Sequence, residues 1–109
     1  MAYDEVLANR IRELLSAESA DERTMFGGLA FLIRGNMAIA VSGQGGLMVR
    51  VAKPDTEKLL SKPHVAPMVM GGREIRGWLR VAEDGVKTKR QLQSWVTRGV
   101  EHAKALPAK

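Results

Sequence analysis

The chain has 109 residues, 45% hydrophobic and 27% charged, the composition of one globular domain over 1–109 and not of a disordered segment. Cysteine is absent and His64 and His102 are the only histidines, which excludes disulfides, thiolate metal sites, cysteine nucleophiles and iron–sulfur clusters. Residues 1–54 hold six basic and six acidic side chains and residues 55–109 eleven and six, so the second half carries the whole net charge of +5.

Asp4 and Glu5 stand where a secretory signal would place bases, and no apolar run follows. A cytoplasmic protein with no membrane association is therefore expected. Tyr3, Leu7, Ile11, Leu14 and Leu15 fall at helical spacing and predict a helix over about 3–17, with acids in its first turn. Residues 18–24 read as a polar connection, and Met25-Phe26-Gly27-Gly28 leads into a strand.

Residues 29–52 predict three antiparallel strands, Leu29–Arg34, Met37–Ser42 and Leu47–Ala52. A two-residue type II′ turn at Gly35-Asn36 and a four-residue loop at 43–46 set Phe31 opposite Ala40 and Ala40 opposite Val49. One face then holds Leu29, Phe31, Ile33, Ala38, Ala40, Leu47, Val49 and Val51 with no charge, and should carry the helices. The other holds Leu32, Ile39, Val41 and Met48 with Arg34 and Arg50, too apolar a surface to be left wholly to solvent.

A short helix is expected over Pro54–Ser61, with proline and acids in its first turn. A loop over 62–67, a short strand at Met68–Met70 and a strand over Glu74–Val81 follow. Thr88 and Gln91 have capping-box spacing and open a last helix, whose apolar stripe is Leu92, Trp95, Val96, Gly99, Val100 and Ala103. Gly99 costs that helix about 1 kcal/mol of propensity, which close packing on the sheet would offset. Consecutive strands without βαβ alternation argue for an α+β fold. The expected architecture is an antiparallel sheet of about five strands, N- and C-terminal helices and one short central helix.

Little in the chain points to chemistry. The glycine-rich 42–46 segment precedes a strand where a dinucleotide fingerprint needs a helix, and it lacks the lysine of a P-loop. Neither histidine has a second one at metal-ligand spacing. No acid interrupts an apolar stripe, where a raised pKa would suit a general acid. The expectation is a non-enzymatic protein with no catalytic residue, metal or cofactor.

The most informative polar pattern is Arg76-Gly77-Trp78-Leu79-Arg80, which on a strand puts Arg76, Trp78 and Arg80 on one face. Three readings fit it: a packed indole under arginine stems, an arginine-rich protein contact, or a stacking and phosphate platform for a single strand. The candidate interaction surface combines these three residues with Leu32, Ile39 and Met48 of the second sheet face. Its expected occupant is a protein partner or a second copy. Direct nucleic-acid contact through the basic second half is the alternative.

With Met25-Phe26-Gly27-Gly28 in place, the chain resembles the N-terminal domain of the TfoX/Sxy family of bacterial competence regulators. The likeness extends through Leu29–Ala38, Gly46–Val51, Ala66-Pro67-Met68 and Gly72–Val81, nearly the whole chain. It implies a small α+β unit with an antiparallel sheet, and a transcription regulator as partner. Full-length regulators of this kind carry a second, C-terminal helical domain and act on competence genes with a cyclic-AMP receptor protein. The resemblance brings no set of catalytic or ligand-binding residues, so Met25, Phe26, Gly27 and Gly28 are expected to act structurally, as a tight entry into the first strand.

Overall fold

A computed structural model of the chain describes residues 3–25 and 27–107. Helix α1 (Glu5–Leu14) is opened by Asp4, whose carboxylate accepts from the Leu7 amide at 3.1 Å. Strands β1 (Asp21–Met25), β2 (Gly28–Ile33), β3 (Asn36–Val41) and β4 (Leu47–Arg50) follow. A 3-10 turn at Lys53–Asp55 leads into the short helix α2 (Thr56–Leu60). Strands β5 (Val65–Met70) and β6 (Arg73–Val81) precede the closing helix α3 (Lys89–Ala105). The capping box at its start is formed in full, with Gln91 and Thr88 exchanging two hydrogen bonds of 3.0 Å.

The sheet has six antiparallel strands in the order β1-β2-β3-β4-β6-β5, one more than expected. The extra strand is β1, in the segment read as a polar connection. It lies at the sheet edge and its first four residues are exposed, so no apolar alternation marks it. Strand β5 likewise begins three residues before the expected Met68.

The helices pack on one face. Leu7, Ala8, Ile11 and Leu15 from the first helical segment join the α3 stripe of Leu92, Trp95, Val96, Val100 and Ala103 over Leu29, Phe31, Ile39, Val41, Leu47, Val49, Leu79 and Val81. Gly99 sits within that stripe against the Ala38 carbonyl, the close packing expected of it. The α3 C-terminus is tied down by buried Asn36, whose side-chain amide donates to the Pro107 carbonyl at 2.9 Å.

The β2–β3–β4 register departs from expectation. The turn residues are Arg34 (φ 56°) and Gly35 (φ 83°), between paired Ile33 and Asn36. Two positive φ values make it a type I′ turn one residue earlier than expected, because Asn36 is already in β3. A bulge at Phe31/Leu32 shifts the pairing again, and Phe31 faces Ile39, which faces Val49. Phe31 and Val49 do share the helix-covered face, but Ile39 and Val41 join them there and Ala40 lies opposite. Met37–Val41 is apolar at both parities, so alternation could not choose between them. Burying Ile39 and Val41 rather than alanine removes more apolar area from water.

Candidate functional site

The second sheet face carries a separate apolar cluster with no helical member. Ala30, Leu32 and Ala40 are buried, and Met25, Met37 and Met48 pack over them. One row of cross-strand pairs runs the full width of the sheet: Arg23, Ala30, Ala40, Met48, Arg80 and Ala66. The two alanines keep the centre low, so the unbranched methionine chains spread across it. A neighbouring row pairs Asp21 with Leu32, and Arg50 with half-buried Trp78. The middle of the face is thus apolar, one flank carries Arg23 with Asp21, and the other carries Arg50 and Arg80.

Arg80 is held in place by neutral partners. Its guanidinium donates to Gln44 Oε1 and to Ser42 Oγ, both at 3.2 Å. Ser42 also accepts from the Gln44 amide at 3.1 Å, so the loop after β3 is built around this contact. Among the described residues no carboxylate lies within ion-pair distance of Arg23, Arg50 or Arg80.

Of the expected interaction surface, Leu32, Met48, Trp78 and Arg80 come together on this face. Ile39 does not: it is fully buried under the helices. Arg76 also departs from the group. Gly77 has φ 93°, and β6 bulges against β5 there, which breaks the alternation that would align Arg76 with Trp78. The Gly77 amide donates to buried Thr56 Oγ1 at 2.9 Å, its carbonyl accepts from Val51, and Arg76 reaches the Lys53 carbonyl beside α2. Within the Met25–Gly28 motif, Met25 belongs to the apolar cluster, Gly27 has φ 76°, and Gly28 begins β2 opposite Met25. Phe26 lies outside the described residues. Met25, Met37, Ala30 and Ala40 were absent from the expected surface. The signal for Met37 was its pairing with Leu32, which follows once the turn is placed at Arg34-Gly35.

The ionisable groups elsewhere behave as surface partners. Glu22 receives two hydrogen bonds of 2.7 Å from Arg12, which lower its pKa, and Asp84 is lowered by its hydrogen bond with Lys87. His102, half-buried on α3, is also lowered, first by burial and then by the charge of Arg50, against a smaller opposing effect of Asp55. Neither carboxylate has the raised pKa that suits a general acid at neutral pH.

A family model described as the TfoX N-terminal domain matches residues 13–103. The chain belongs to this family. The TfoX N-terminal match takes in all six strands and all but the last two residues of α3, so the whole open face lies within it. Comparison with curated proteins gives no significant match. Among the described residues no helix is long and apolar enough to cross a membrane.

Proposed function

We propose that this TfoX N-terminal domain is a non-enzymatic, cytoplasmic regulatory module that binds another protein through its open sheet face. The observation that carries the reading is the row from Arg23 through Ala30, Ala40 and Met48 to Arg80, apolar at its centre with an arginine on either side of it. Apolar burial at about 25 cal/mol per Å² supplies the driving force, and methionines adapt to the shape that meets them. Charge selects the occupant. A second copy laid face to face about a two-fold axis in the interface sets the arginines of this row against arginines, whether the rows run parallel or reversed. The single Asp21 beside Arg23 offsets only part of the charge of Arg23, Arg50 and Arg80. A partner with an apolar stripe flanked by carboxylates pairs with those arginines instead. In line with the family, a transcription regulator is the class of partner proposed.

The experiment is affinity capture from a bacterial extract, followed by reconstitution with the purified captured protein. Met48→Glu places a charge in the apolar centre, and Arg80→Glu reverses one flank. Each should weaken the reconstituted complex at least about tenfold. Arg76→Glu, on the α2 side, should leave it unchanged. Equal weakening by all three variants would refute the assignment to this face. Tight, sequence-specific binding of a DNA duplex near physiological salt would favour the nucleic-acid alternative instead, since phosphate contacts alone weaken steeply with salt.

A further inference from the structure

Away from the open face, the loop before β5 and the exposed side of α3 enclose a half-open hollow of about 280 Å³. Arg90, Ser94 and Arg98 stand four residues apart along one row of α3, and Gln91 lies beside them. Lys62 and His64 form the opposite wall. The lining thus brings three permanent cations, a histidine, a hydroxyl and an amide to one concave site, and it contains no carboxylate. Acids border the hollow without lining it: Asp84, bonded to Lys87 at 3.0 Å, and Glu83 share an adjoining hollow with His64, and Glu101 shares the next one along α3 with Arg90, Ser94 and Arg98.

Two features hold the site in shape before any ligand arrives. The Arg98 guanidinium stacks over the Trp95 ring at 5.8 Å, and the indole is itself anchored in the core. His64 sits at φ 66°, a conformation that a non-glycine residue adopts at a cost, and its carbonyl accepts from the Ala82 amide at 2.8 Å. Like charges gathered in one recess repel unless an anion joins them, and guanidinium groups match phosphoryl oxygens in a two-pronged geometry. We infer that this hollow is a binding site for the phosphoryl group of a compact phosphorylated metabolite. Its enclosure between loop and helix favours a small ester over a nucleic-acid backbone, which needs an extended track of cations.

The test is isothermal titration of the full chain with glucose 6-phosphate, glucose and inorganic phosphate, at about 0.1 M salt, where screening acts beyond about 10 Å. Glucose 6-phosphate should bind one to one and glucose should not bind. Inorganic phosphate binding as tightly as the ester places all recognition in the phosphoryl group, and a tighter ester adds the wall of the hollow to it. Arg90→Gln should weaken binding at least about tenfold. Arg90 is exposed, so its replacement leaves the core intact, and Lys89→Gln, one residue away and outside the hollow, should leave affinity within about twofold. The inference is overturned by no saturable binding up to about 10 mM ester, or by equal weakening in the two variants. It is also overturned if single-stranded oligonucleotides bind more tightly as they lengthen while the ester does not bind.

Discussion

Replacing Gly99 with alanine sets two effects of opposite sign against each other. In helix propensity alone the change favours the variant by about 1 kcal/mol. In this fold the added Cβ would stand 2.4 Å from the Ala38 carbonyl oxygen and 3.1 Å from its carbon. That oxygen belongs to the main chain of an inner strand and cannot swing aside as the end of a flexible side chain would. Helix α3 must retreat by about 0.6 Å to reach even a tight contact of 3.0 Å. A gap of about 0.5–1 Å forfeits a quarter to a half of each dispersion contact it opens. The retreat is shared by Leu92, Trp95, Val96, Val100 and Ala103, all buried on the same stripe. Overpacking of this kind costs about 1–3 kcal/mol, and the clash with main chain puts it near the upper end. Less the propensity gain, Gly99→Ala should destabilise by about 2 kcal/mol. Urea denaturation should show the midpoint falling by about 1 M with an unchanged slope. Exposed Thr97→Ala on the same helix should be neutral or stabilising by a few tenths of a kcal/mol. A Gly99→Ala protein as stable as wild type would refute the reasoning, because the helix could then move off the strand at no cost.

Trp95→Ala should cost about 3–5 kcal/mol, since it empties the largest buried position of α3; a denaturation midpoint equal to wild type would show that the neighbouring side chains refill the space. His102 carries a pH prediction. Its folded pKa lies below the ordinary 6.5, so the unfolded chain takes up a proton more readily, and stability falls as pH drops through 6.5 toward the folded value. His102→Gln should therefore lose less stability than wild type between about pH 7 and pH 5, measured as the change in urea midpoint. An unchanged pH dependence would show that the ring pays no penalty for its burial.

Some elements were legible in the sequence because one local rule sufficed for each. Helix α3 is the clearest: the Thr88–Gln91 box set its start, and every residue of its apolar stripe is buried. Glu83-Asp84-Gly85 was likewise readable as a turn from glycine and acids alone, and the short helix expected over Pro54–Ser61 is present as a 3-10 turn at Lys53–Asp55 followed by α2. The α+β class followed from consecutive strands between helices. Three features needed the tertiary structure. Strand β1 exists because β2 offers it a ladder, and its polar residues record only that it lies at an edge. The β3 register turned on volume: with both parities apolar, only the packing of α3 decides that Ile39 and Val41 go inward and Ala40 outward. The interaction face inherits that choice. Arg76 and Arg80 are four residues apart and share a side on any regular strand, yet Gly77 and its contacts with Thr56 and Val51 part them. Alternation is a local property of one strand. A bulge answers to the neighbour across the sheet, and that neighbour is chosen only when the chain has closed on itself.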